Sequence, residues 1–232
     1  MPTEIRTITL AMPLRMGPVN CYLVDTGSAH FLIDTANSHR RADLENELFD
    51  AGCTPDTLNL IILTHGDFDH TGNAAYLAEK YGARIAMHRD DSAMAEEADM
   101  FANRQSRNVA VKLMAPIIPI LFGFPKANRF KPDLYLEDGD DLSEHGLSAR
   151  VLSIPGHSLG SIGILTAAGD LFCGDLLDNY EKPGINSIMD SPETAKSSIE
   201  KLKSLEINTI YPGHGDPFSM ELLLESLGDE SD

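Results

Sequence analysis

The run TLNLIILT at residues 57–64 constrains the fold more than any other stretch of the chain. It is nearly continuous in apolar side chains, the composition of a strand buried on both faces. A strand of that kind needs a packed layer above and below it. The rest of the chain provides those layers in two batches. IRTITLA (5–11), VNCYLVDT (19–26) and HFLIDT (30–35) read as strands of a meander, with GSA turning the last two. SHRRADLENELFDAG (38–52) has apolar residues at 44 and 48, a serine at its start and Gly52 at its end, which predicts an amphipathic helix capped by Ser38. GNAAYLAEKYG (72–82) predicts a second helix stopped by Gly82, and RIAMH (84–88) another strand.

The second batch comprises DLYLEDGDDL (133–142), LSARVLSIPGH (147–157), SIGILTAAGD (161–170) and LFCGDLL (171–177), joined by Gly and Asp turns. A helix follows over SPETAKSSIEKLKSLE (191–206), with Ser191 at the N-cap and Pro192 at N1, then the strand INTIYPG (207–213) and a short helix from about Phe218. Two batches of strands, each interrupted by helices, predict two packed sheets with helices outside, within one domain spanning 1–232. The segment at about 90–131 breaks the pattern and reads as an apolar, helical insertion. Its run VAVKLMAPIIPILFGFP (109–125) holds three prolines and one lysine in 17 residues, too short and too broken to span a bilayer. It is expected to cover a substrate cleft, to form a contact between copies of the chain or to add to the core.

Charge narrows the partners. With 18 Lys+Arg against 36 Asp+Glu, the net charge of −18 repels phosphate backbones and anionic membranes, so no nucleic-acid partner is expected. The first residues carry no basic segment followed by an apolar run, and the three cysteines (Cys21, Cys53, Cys173) suit reduced thiols, so a cytoplasmic location is expected. Asp90 and Asp91 read as solvated charge, and His30, His39, His88 and His145 as residues without a functional role.

The chemistry concentrates where strands end. Directly after the 57–64 run comes HGDFDH (65–70), two histidines and two aspartates within six residues. In an extended loop, residues i and i+2 point the same way, so His65, Asp67 and Asp69 converge, with His70 turning off at the helix start. Imidazole and carboxylate together suit divalent transition metals. His157 (IPGHSLGS) and His214 (YPGHGDP) each follow a strand and a Pro-Gly turn, and Asp175 closes the strand LFCGDLL.

The ordered set LIDT (32–35), THGDFDHTGN (64–73), PGHSLGS (155–161), CGDLL (173–177) and YPGHGD (211–216) resembles the five motifs of the metallo-β-lactamase fold superfamily, including its glyoxalase-II-like hydrolases and lactonases. The resemblance implies a four-layer αβ/βα sandwich of two mixed β-sheets with outer helices and a binuclear metal site at one edge. Carried over by position, His65, Asp67 and His157 would bind one ion, Asp69, His70 and His214 the other, and Asp175 would bridge them. Asp34 would order loops near the site, Asp69 would also orient the nucleophile, and Tyr180 is a candidate to polarise a substrate oxygen. The implied reaction is hydrolysis of an ester, lactone or thioester in a small-molecule substrate by a hydroxide shared between two divalent ions of zinc, iron or manganese.

One position departs from the family pattern His-x-His-x-Asp-His: Asp67 stands where the second histidine is usual. The ligand set becomes four histidines and three aspartates, formally neutral against two divalent ions and one hydroxide. The added oxygen donor moves the first position from zinc toward iron or manganese. The flavodiiron branch is similar in having an acidic residue there, so a di-iron redox enzyme is the second expectation, and a metal-binding protein of this fold without activity the third. Only 18 residues follow His214, which argues against a dedicated glutathione thioesterase with an extra helical region.

Overall fold

A computed structural model describes residues 3–12, 17–102, 104 and 128–228. The first sheet runs β1 (Glu4–Ala11), β2 (Pro18–Asp25), β3 (His30–Ile33), β4 (Leu58–Ile62), β5 (Arg84–Met87) and β6 (Leu134–Tyr135), in that spatial order. β1 to β3 pair antiparallel, as a meander does, and β3 to β6 pair parallel through helical crossovers. The second sheet has the order β12 (Phe218–Ser219), β11 (Thr209–Gly215), β9 (Asp170–Asn179), β8 (Ile162–Thr166), β7 (Ala149–Ser153), and β10 (Gly184–Ile185) pairs with β9. Its one parallel pair, β9 with β11, is spanned by the helix Pro192–Lys203.

The burial of β4 follows its composition. Leu60 and Ile62 point to the second sheet and pack with Phe31, Ile33, Val151, Ile164 and Phe172, while Ile61 and Leu63 point outward. There they meet Leu44 and Leu48 of α1 (Arg41–Asp50) and Leu77 and Tyr81 of α3 (Ala74–Tyr81). Ile199 and Leu202 of the helix Pro192–Lys203 cover the outer face of the second sheet beside Leu152, Ile154 and Leu171. The architecture is therefore helix, sheet, sheet, helix, as expected. Between the sheets Phe172 is fully buried, with ring centroids 5.2 Å from Tyr22 and 5.0 Å from Tyr211, and burial of each such side chain contributes about 1.5–3 kcal/mol.

Two local expectations change. α1 is entered through a 3₁₀ turn at Ser38–Arg40, and Asn37 rather than Ser38 provides the cap: its extended backbone drops the side-chain oxygen onto the His39 amide, 3.1 Å away. The 133–142 segment forms only two strand residues, because the Glu137 amide bonds Asp140 Oδ2 and closes a turn. The insertion opens as a helix, α4 (Arg89–Glu97), in keeping with its helical reading, and the run 109–125, expected to be a lid, a subunit contact or core, lies outside the described residues. All three cysteines are buried and free, and no helix among the described residues is long and apolar enough to cross a membrane.

Candidate metal centre

Strands and the loops after them bring every implied ligand to one edge, although Asp175, expected to close its strand, lies in the middle of β9 (Asp170–Asn179), which runs four residues further. The loop after β4 carries His65 and Asp67, and α2 (Phe68–Thr71) carries Asp69 and His70. His157 follows β7, Asp175 lies in β9 and His214 in β11. The Ile162 amide donates to Thr64 O at 2.9 Å, tying the His65 loop of one sheet to the second sheet.

The side chains converge in two groups. His65, His157 and Asp175 form one, and Asp69, His70 and His214 the other; within each, one ligand atom per residue lies within 4.8 Å of the rest. Asp175 stands between them, with Oδ1 3.2 Å from His70 Nε2, and Oδ2 3.3 Å from His214 Nε2 and 3.9 Å from His157 Nε2. Asp69 Oδ2 lies 3.5 Å from His214 Nε2. Asp67 Oδ2 lies 2.9 Å from His157 Nε2 and 3.6 Å from His65 Nε2, so it joins the first group. All seven side chains are buried.

The packing that permits this approach includes a glycine. A Cβ on Gly213 would stand 2.1 Å from Asp175 Oδ1 and 2.8 Å from His70 Cε1, so any side chain there displaces the carboxylate between the two groups.

What stands behind the histidines sets their orientation. His70 Nδ1 lies 2.8 Å from Asp34 Oδ2, His157 Nδ1 2.7 Å from Ile188 O, and His214 Nδ1 2.7 Å from Pro18 O. His65 Nδ1 lies 3.0 Å from Thr64 Oγ1, whose own hydroxyl donates to Asp34 Oδ2 at 2.8 Å. Each Nδ1 therefore donates outward and leaves Nε2 as the nitrogen facing inward, the arrangement that prepares imidazole for a metal. Asp34 serves both groups, as its proposed ordering role requires, and holds a left-handed φ of 59° that its hydrogen bonds over-determine.

Electrostatics favour a cation. Burial opposes protonation of His214, but Asp175 and Asp69 outweigh it and push its pKa up to about 12. Burial likewise opposes protonation of His70, yet Asp175, Asp34 and Asp69 hold its pKa well above the usual imidazole value. Burial raises the Asp175 pKa, and His214 and His70 overcome this to hold it well below the carboxylate range. Meanwhile His65 Nε2, His70 Nε2 and Asp175 Oδ1 are buried without a hydrogen-bond partner. Inward lone pairs, clustered carboxylates and unpartnered buried atoms fit a site for divalent ions.

Two residues of the centre went unread in the sequence. Asp91, expected to be solvated, is 1% exposed and accepts from Gly66 N (3.0 Å), Ser158 Oγ (2.6 Å) and Gly160 N (2.8 Å), thereby joining the His65 and His157 loops. Arg104, from the insertion, places its guanidinium against Asp67, with Nη1 2.8 Å from Oδ1. Burial opposes its charge, but Asp67 and Asp190 more than compensate and raise its pKa. Tyr180 is half exposed and its ring lies on His214, centroids 5.8 Å apart and 23° from parallel. His30, His39, His88 and His145 belong to neither group.

Residues 14–214 match the metallo-beta-lactamase superfamily, and the chain belongs to it. Among similar proteins, the hydroxyacylglutathione hydrolase GloC of Haemophilus influenzae is 28% identical over 211 residues, 88% of this chain and 89% of that protein. The probable metallo-hydrolase YqgX of Bacillus subtilis is 26% identical over 206 residues, 86% of this chain and 87% of that one. The crystal structure of TTHA1623 in a di-iron-bound form superposes with a TM-score of 0.70 at 27% identity, covering 94% of this chain and 96% of that one. The B3 metallo-beta-lactamase BLEG-1 shares the fold at a TM-score of 0.72 and 19% identity, covering 96% and 97%.

Proposed function

We propose that this chain is a metal-dependent hydrolase that holds two divalent ions and cleaves an ester, lactone or thioester bond in a small-molecule substrate. The observation that carries this reading is the pair of groups meeting at Asp175, with the Nδ1 of all four histidines engaged and every Nε2 turned inward. His65, His157 and Asp67 would hold the first ion, Asp69, His70 and His214 the second, and Asp175 would touch both. When bound, two such ions acidify a water and polarise a substrate carbonyl.

The chain's own residues do the positioning. Asp34 and Thr64 fix the orientation of His70 and His65, and Asp69, at the start of α2, is placed to orient a water while its Oδ2 faces His214. Tyr180, on the open side of His214, is placed to donate to a substrate oxygen at the rim. The similarity to a hydroxyacylglutathione hydrolase and a probable metallo-hydrolase supports the reaction class. A second reading, di-iron redox chemistry, is favoured by the oxygen donor of Asp67 and by the likeness to a di-iron-bound structure.

The test is protein purified without chelator, assayed for metal content and against lactones, thioesters, phosphodiesters and a β-lactam. Metal-dependent turnover of an acyl substrate is expected. Bound iron with oxygen consumption and no hydrolysis would instead establish the redox reading.

A further inference from the structure

The first ion position has a resident competitor. Arg104 reaches Asp67 with both ends of its fork, Nη1 to Oδ1 at 2.8 Å and Nη2 to Oδ2 at 3.2 Å. The same Nη2 lies 3.3 Å from His157 Nε2 and 3.5 Å from His157 O, and Nε donates to Asp190 Oδ2 at 3.0 Å. His157 Nδ1 already faces Ile188 O, so Nε2 is the nitrogen the ring turns toward Asp67 Oδ2, 2.9 Å away, and toward the guanidinium. The guanidinium therefore occupies the two groups, His157 Nε2 and Asp67 Oδ2, on which a first ion depends. Its side chain is only 9% exposed, and a fork held by carboxylates on both sides is a fixed charge rather than a mobile one. The second group, by contrast, is faced by Asp34, Asp69 and Asp175.

We propose that Arg104 and a metal ion compete for Asp67, so that the two ions bind with unequal affinity and the first position fills only as the Asp67–Arg104 pair opens. The inference rests on the two-ion reading above. It assigns Asp67 a function beyond substitution for a histidine: a carboxylate offers the guanidinium a negative charge and two oxygens and can also ligate a metal, whereas a neutral imidazole offers one lone pair and no charge. It also makes Asp190 a positioning residue, because that carboxylate holds Nε on the side away from Asp67 and offers the guanidinium a partner when Asp67 turns to the ion.

The experiment is manganese(II) binding to chelator-stripped protein, followed by calorimetry and equilibrium dialysis, with far-UV circular dichroism confirming the fold of each variant. Wild type should show two classes of site separated by about tenfold or more, since a unit charge beside a weakly screened divalent ion costs at least that much. Arg104→Gln should tighten the weaker class by about tenfold and leave the stronger within about twofold, while Arg104→Lys, which keeps the charge, should preserve the separation. Two indistinguishable sites in wild type, or a weaker class that Arg104→Gln leaves unchanged or weakens further, would overturn the competition while leaving the two-ion reading in place. Failure of wild type to bind manganese at all would overturn both.

Discussion

The two halves of the metal edge use the same kinds of side chain and differ in what stands behind them. In the second half one histidine is backed by charge: the His70 imidazole rests on the Asp34 carboxylate, which also takes the Thr64 amide and hydroxyl, while His214 rests on the Pro18 carbonyl. The first half is backed by neutral groups alone, Thr64 Oγ1 behind His65 and Ile188 O behind His157, and among the described residues it is the half that faces an arginine. A carboxylate behind an imidazole makes the opposite nitrogen a stronger donor, whereas a cation in front of it competes for the same lone pair. Similar ligands can therefore form a firm site and a conditional one, separated by a shared aspartate.

The largest effect should come from the feature both halves share. Gly213→Ala places a methyl where Asp175 and His70 now lie, and we expect metal content to fall in both positions together, measured as ions per chain. Loss of one ion only would mean that Asp175 does not join the halves. Next, Asp91→Asn removes a buried carboxylate that takes three hydrogen bonds at the His65 and His157 loops. It should lower stability by roughly 3–5 kcal/mol in denaturant unfolding and loosen the first position more than the second.

Asp34→Asn sharpens the contrast from the other side. Replacing the charge behind His70 should weaken the second position by about 10–100-fold in metal affinity, and the first position, reached only through Thr64, by less. Equal weakening would show that the halves are not supported separately. Asp67→His, which restores a third imidazole and removes one of the two carboxylate partners of Arg104, should shift metal content toward zinc in medium holding iron, manganese and zinc, read by elemental analysis. Identical metal ratios in both proteins would show that Asp67 does not select the ion.

The smallest effect lies outside both halves and calibrates the rest. Lys201, with the Ser153 amide, lowers the pKa of Asp138 although slight burial opposes it. A depressed folded pKa contributes stability above the unfolded value of about 3.9 and loses it as pH falls through the folded value. Because Asp138 is 54% exposed, Asp138→Asn should cost under about 1 kcal/mol at neutral pH and nothing near pH 2. Metal content should not change.

What the sequence made legible follows from range. TLNLIILT declares a doubly buried strand by its own composition, and HGDFDH marks candidate ligands by their spacing within six residues. Gly82, Ser191 and Pro192 mark helix ends by local backbone chemistry, and the structure agrees at each. Asn37 displaced Ser38 as a cap because the choice depends on backbone angles that composition does not show. Asp91 and Arg104 were illegible for a different reason. The three donors of Asp91 come from residues 66, 158 and 160, and the partners of Arg104 from 67, 157 and 190, so neither role exists until the sheets pack. The one local hint was an acidic pair on the first turn of α4 whose second member falls on the buried face.

The account's central claim is tested most directly by a crystal structure of manganese-loaded protein with anomalous scattering recorded at a wavelength where manganese contributes. Two peaks are predicted at the sandwich edge, one contacted by His65, Asp67 and His157, the other by Asp69, His70 and His214, with Asp175 touching both. A metal contacted by fewer than four of these seven residues, or peaks only elsewhere on the molecule, would contradict it.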